Sequence, residues 1–194
     1  MSTAEDAYKG KAGAAYWKRN GEKVQEQHRA RVSFLRFLVP PTYMWIHNGL
    51  LPTPWLEVGC GRGDNLLPGD VGVDCDVRQL SYLFNKGVVP VLASATALPF
   101  PDRSFLTVVS VGCLMHLSGE DLEKALKELT RVSHKFIILG EYLAEQEEAV
   151  SGKHWDGMLW KRPYLPPKGW QFVKSVLAPV PFDADVTFLV WERA

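Results

Sequence analysis

No stretch of the 194-residue chain runs apolar for eighteen residues, and Met1 to Gly13 holds no apolar segment that could serve as a signal peptide. Neither a membrane span nor secretion is therefore expected, and the expected location is the cytoplasm. Net charge is also missing: 22 Lys and Arg balance 22 Asp and Glu. That balance argues against a strongly basic nucleic-acid coat, and nucleic acid is not an expected partner. Cysteine is scarce. Cys60, Cys75 and Cys113 are odd in number, far apart and without a C-x-x-C pair, so they suggest neither a disulfide framework nor a zinc site. Internal repeats and low-complexity tracts are absent too. What remains is an ordinary globular composition, 46% apolar and 23% charged, at a length that suits one domain spanning 1–194.

Charge is uneven along the chain. Residues 1 to 40 carry eight Lys or Arg against four acids; a solvated helix face explains this surplus better than an anionic substrate does. Asn20 as N-cap, apolar residues Ala30, Phe34, Phe37 and Leu38 on one face, and the Pro40-Pro41 stop predict a helix over 21–38. It belongs to an N-terminal helical cap, residues 1–50, on a core of residues 51–194. Short apolar runs at 55–58, 71–74, 88–92, 106–111 and 136–139 read as strands, and 77–86 and 119–131 as helices. In the second helix Ser118 and Asp121 give a capping-box signal, while Leu122, Ala125, Leu126 and Leu129 recur at helical spacing. Strands alternating with helices imply a mainly parallel sheet covered on both faces, and the last two runs, 170–177 and 186–191, have no helix between them and should pair antiparallel.

The most informative stretch is a strand ending in Glu57-x-Gly59-x-Gly61-x-Gly63. Glycines there let a ligand approach the backbone, and Glu57 would repel a pyrophosphate but suits a ligand carrying positive charge. S-adenosylmethionine, with its ammonium and sulfonium, is such a ligand. Asp74 ends the next strand, where a carboxylate can accept from both ribose hydroxyls.

Leu56-Glu57-Val58-Gly59-Cys60-Gly61-Arg62-Gly63, then Gly72-Val73-Asp74, then the run Ala95 to Phe105 resemble the class I S-adenosylmethionine-dependent methyltransferases. Within that superfamily, Tyr16-Trp17-Lys18-Arg19-Asn20, Leu114-Met115-His116-Leu117, Gly140-Glu141-Tyr142 and Leu159-Trp160-Lys161-Arg162 resemble the methylases associated with pseudaminic acid biosynthesis. The resemblance implies an α/β, Rossmann-like fold with a seven-stranded sheet, a C-terminal antiparallel hairpin, and S-adenosylmethionine, or its product S-adenosylhomocysteine, over the C-terminal strand tips. Carried over by position, Glu57, Gly59, Cys60, Gly61 and Gly63 would hold the amino acid end of the donor and Asp74 its ribose. Tyr16 and Arg19 would close over the carboxylate, and Ser94 and Ala95 would meet the adenine, although many relatives have Asp where this chain has Ser94. Only eleven positions separate Gly63 from Asp74, where a nucleotide-binding βαβ unit takes about 20, so the first crossover helix is expected to shrink to 64–67.

Methyl transfer asks the protein mainly to align a nucleophile and manage its proton. His116, just past the fourth strand, and Glu141, at the tip of the fifth, are the candidate catalytic residues and are expected to act on the acceptor, His116 as base; Tyr142 beside Glu141 is a candidate substrate contact. A structural role competes for each. The 153–164 stretch is expected to act as a lid, with Trp155 and Trp160 as apolar faces and His154, Lys161 and Arg162 as polar contacts. Trp55, Trp170 and Trp191 read as core residues. Neither a D/N-P-P-Y/F motif nor a Pro-Cys pair follows the fourth strand, which argues against base methylation, and no metal-binding constellation is evident. Two functions stay open: transfer to a small polar acceptor, possibly a sugar or amino sugar, and a donor-binding partner or regulatory subunit without transferase activity.

Overall fold

A computed structural model describes residues 28–39, 54–117, 119–150, 159–179 and 185–194. Seven strands form one sheet: β1 Leu56–Val58, β2 Val71–Asp74, β3 Val89–Leu92, β4 Phe105–Val111, β5 Ser133–Tyr142, β8 Trp170–Leu177 and β9 Val186–Arg193. Their order is β3-β2-β1-β4-β5-β9-β8. The first five run parallel, and β9 pairs antiparallel with both β5 and β8. The expected fold class and terminal hairpin are thus observed. β5 runs three residues beyond the expected run, to Tyr142, because β9 pairs with it throughout Phe136 to Tyr142.

Alternation along the central strands sends successive side chains to opposite faces. Val108, Ile137, Leu139, Leu189 and Trp191 face the helix α3, Gly119–Val132, whose Ala125, Leu129 and Val132 are buried against them. Val109, Phe136, Ile138, Phe188 and Val190 face α1, His28–Phe37, through Leu35 and Leu38. Lys124 pairs with Glu120 and Asp121 on the solvent side of α3; Ser118 lies outside the described residues. Trp55, Trp170 and Trp191 are buried, as expected. No helix among the described residues is long and apolar enough to cross a membrane.

Two local expectations change. The stretch 77–86 does not form one helix: α2 covers Val77–Leu80, capped by the Asp76 side chain, and a single 3-10 turn follows at Phe84–Lys86, closed by Gly87. The β1–β2 crossover passes through turns with no helix, since Pro68 and Gly69 stop a segment already too short for one. Leu66 of this crossover packs with Cys60, Leu80, Leu83 and Val88 in a small apolar cluster.

α1 is fastened to this crossover. Arg36 pairs with buried Asp70 and stacks 4.5 Å from the Trp55 ring. Arg31 Nε donates to Asn65 Oδ1 at 3.0 Å, and His28 Nδ1 lies 2.7 Å from the Asp64 carbonyl oxygen. Asp70 also accepts from the backbone N–H of Trp55 at 3.0 Å and of Leu67 at 2.8 Å. Part of the basic surplus at the N-terminal end is therefore spent inside the molecule, which corrects the solvated-face expectation for Arg31 and Arg36. Beside the packing of Leu66, these ion pairs and amide bonds hold the helix-free crossover to α1 and β1.

Candidate active site

The strand order reverses between β1 and β4, and crevices at such points receive ligands in open α/β sheets. β1 turns away through Gly59, Gly61 and Gly63, whose φ values of +73°, +51° and +68° are left-handed conformations that a side chain resists. Gly59 has a second reason to lack a side chain. A Cβ there would lie 2.4 Å from Cβ and 2.5 Å from Sγ of Cys113, on the loop after β4, so the two strand tips close on each other at the reversal.

Glu57 sits under this turn and is only 1% exposed. Its Oε1 accepts from Asn65 Nδ2, while Oε2 has no partner among the described residues. Burial pushes its carboxyl up to about 8, against the opposing pull of Asn65 and Arg31. Asp74, at the tip of β2, accepts from the Gly61 N–H at 2.9 Å through one oxygen and from the Asp76 N–H at 2.9 Å through the other. Each oxygen keeps a further lone pair, so Asp74 both shapes the turn and can still accept a ligand hydroxyl. Burial raises its carboxyl as well. The carboxylate-and-glycine frame therefore fits an S-adenosylmethionine amino acid end and ribose, on the strength of an orphaned buried acceptor and open backbone.

Ser94 follows β3, half-buried; its Oγ accepts from the Thr96 N–H at 3.0 Å and lies 2.7 Å from Thr96 Oγ1. Ala95 packs against the core beside it. Cys60 is buried and Cys113 half-buried; burial holds both thiols well above their ordinary range, so they stay protonated. Tyr16 and Arg19 lie outside the described residues.

The other half of the edge belongs to β4 and β5. Glu141 is fully buried and accepts from the backbone N–H groups of Leu114 and Met115 at 3.0 Å and Cys113 at 3.3 Å. Burial pushes it to about 8 while these three bonds pull down. The loop it holds ends in a 3-10 turn, Leu114–His116, which places His116 half-buried at the strand edge. Beyond β5, a two-stranded ribbon forms from β6, Glu148–Ala149, and β7, Trp160–Lys161. Half-buried Tyr142 lies under Lys161 Nζ at 5.8 Å, and the Arg162 guanidinium is 5.5 Å from the Trp160 ring. Arg162 is 2% exposed. It donates through Nη2 to the Leu117 carbonyl at 2.8 Å and lies 3.3 Å from the Glu147 carboxylate. Glu141 and Arg162 thus grip the His116 loop from two sides. His154 and Trp155 lie outside the described residues. Among the described residues no cluster of His, Cys, Asp or Glu could hold a metal ion.

The sequence did not single out Asn65 or Asp70, and it showed Arg31 and Arg36 only as part of a basic surplus. The visible signal of the first two is a polar Asp64-Asn65 pair and an Asp70 bracketing Pro68-Gly69 in a crossover too short to be helical.

Residues 56–135 match the family model described as a methyltransferase domain. A tRNA (carboxymethyluridine(34)-5-O)-methyltransferase of Arabidopsis thaliana is 31% identical over 107 residues, 52% of this chain. The matched stretch spans 26% of that relative. The solved magnesium protoporphyrin IX methyltransferase of Synechocystis, with bound S-adenosylmethionine, superposes with a TM-score of 0.65 at 15% identity, over 98% of this chain and 95% of its own. The 1,6-didemethyltoxoflavin-N1-methyltransferase of Burkholderia thailandensis, with bound S-adenosylhomocysteine, gives 0.64 at 16% identity, over 100% and 91%. From the strand order, the Gly-rich turn and these likenesses, the chain has the class I S-adenosylmethionine-dependent methyltransferase fold, and a methyltransferase-domain sequence runs from its first strand into its fifth.

Proposed function

We propose that this chain transfers a methyl group from S-adenosylmethionine to an oxygen or nitrogen of a small polar acceptor. The observation that carries the reading is the buried Glu57 carboxylate with one unpartnered oxygen beneath a three-glycine turn at the strand reversal. A buried acceptor atom without a partner costs about 1–3 kcal/mol, and an ammonium is the group that offsets it best. When bound, the donor would supply a methyl on a sulfonium, activated for in-line attack by an acceptor heteroatom, with the carbon–sulfur bond breaking and the neutral thioether S-adenosylhomocysteine leaving. The chain's own residues do the rest. Glu57 and the glycine turn hold the amino acid end, Asp74 accepts from the ribose, and Ser94 and Ala95 border the adenine. His116 takes the proton from the acceptor's hydroxyl or amine, on a loop whose geometry Glu141 maintains.

The acceptor side is framed by Tyr142, Trp160 and Lys161, while Arg162, buried against Leu117 and Glu147, acts through the His116 loop. A tryptophan face beside the Lys161 ammonium suits a sugar or amino sugar carrying a carboxylate, in line with the resemblance to the pseudaminic acid-associated methylases. The Arabidopsis relative acts on a uridine in tRNA; we carry over its methyl transfer and not its RNA, because this chain has no positive surplus. Calorimetry with S-adenosylmethionine and S-adenosylhomocysteine tests the donor half, and transfer of an isotopically labelled methyl to a panel of sugars and amino sugars tests the acceptor half. Heat from neither ligand would overturn the reading.

A further inference from the structure

We propose that Asn65 and Arg31 are positioning residues that orient the Glu57 carboxylate toward the donor's ammonium and so couple donor binding to the seating of α1. The inference rests on the methyltransferase reading and deepens it. Arg31 can only donate, so the Asn65 oxygen must face it, and the 3.0 Å bond from Arg31 Nε fixes the amide in that sense. The amide nitrogen is thereby turned toward Glu57 Oε1. The carboxylate is then held at one oxygen from the crossover side, and Oε2 alone is left for a ligand. Arg31 reaches in from α1, Asn65 from the crossover and Glu57 from β1, so three separate elements must be in place before the carboxylate is aimed. Their sequence separations of 34 and 8 positions hide the relay from any local pattern.

The charged and titratable groups acting on Glu57 are Arg31 from α1, Asp64 and Asp70 from the crossover, and Cys60 from the turn. Arg31 and the Asn65 bond favour the ionised form; burial, Asp64 and Asp70 favour the neutral one. With Glu57 raised to about 8, an ammonium docking at pH 7 must expel a proton from it, and losing either relay member makes that harder.

S-adenosylhomocysteine, which keeps the ammonium, is the probe, and calorimetry between pH 6 and 9 in buffers of different ionisation heat is the measurement. Wild type should bind with release of a proton at pH 7, tighten as pH rises toward about 8, and then level off. Asn65→Ala should weaken binding at pH 7 by about 10- to 100-fold, the range for a hydrogen bond to a charged group, and move the plateau to higher pH. Arg31→Gln should shift the plateau the same way by less. A role confined to packing would lower thermal stability and leave the plateau in place. Asn65→Ala binding with wild-type affinity and wild-type plateau overturns the relay, and if Asn65→Ala does not fold, an unmoved plateau in Arg31→Gln overturns it. Absence of binding by wild type would overturn the methyltransferase reading itself.

Discussion

Two glutamates end two strands of the same sheet, both fully buried and both raised to about 8 by desolvation, yet their surroundings differ. Glu141 spends its oxygens on three successive backbone N–H groups of the loop after β4. Glu57 accepts from one side chain and leaves Oε2 unpartnered. Burial and a displaced pKa are therefore shared by a carboxylate whose oxygens are filled and one that keeps an open acceptor. What distinguishes them is the unused acceptor, and the proposed donor-binding role rests on that difference.

The largest expected effect breaks this comparison on the side of Glu141. Glu141→Ala strands three backbone N–H groups, each worth about 1–3 kcal/mol when buried and unpaired, and should cost about 3–5 kcal/mol of stability by chemical denaturation. A loss below 1 kcal/mol would remove its architectural role. Gly59→Ala joins the two regions, since its methyl would collide with Cys113 in a left-handed backbone; about 2–4 kcal/mol is expected from overpacking and strain together. The next effect sharpens the pairing through pH. A carboxyl at 4.5 in the unfolded chain and about 8 in the fold binds more protons folded than unfolded in that window, so the stability it contributes falls as pH rises from 4.5 to 8. Glu57→Gln should therefore raise the melting temperature at pH 8.5 relative to wild type and change it little at pH 4.5; equal shifts at both would contradict the assignment. The smallest effect is the control: Lys124→Ala removes an exposed pair on α3 and should change stability by no more than about 0.5 kcal/mol.

Much of this frame is legible from sequence because its signals are local. Period-two apolar runs, the Glu57-to-Gly63 turn and the Leu122 to Leu129 spacing each lie within a dozen residues, and the sheet and α3 follow from them. The His116 loop shows where legibility stops. Its position after β4 is readable, but the grip of Glu141 and Arg162 on it comes from 26 to 45 positions away. Glu141 and Tyr142 look alike as strand-tip residues, and only pairing with β9 and the return of the loop decide that Glu141 points into the protein. The same applies to α1, where charge counting cannot separate a solvated lysine from an arginine that closes a crossover. The failed helix over 77–86 has a local cause in hindsight: Ser81 and Asn85 interrupt the apolar spacing, and Gly87 ends it.

The central claim is that Glu57 is the carboxylate that receives the donor and Glu141 is not. Titration of S-adenosylhomocysteine into wild type, Glu57→Gln and Glu141→Gln at pH 8 tests it most directly, with each variant first shown to be folded. The account predicts that Glu57→Gln weakens binding by about 2–5 kcal/mol, as expected when one partner of a buried charge pair is removed, and that Glu141→Gln stays within about threefold of wild type. Equal affinity for wild type and Glu57→Gln, or a loss confined to Glu141→Gln, would contradict it.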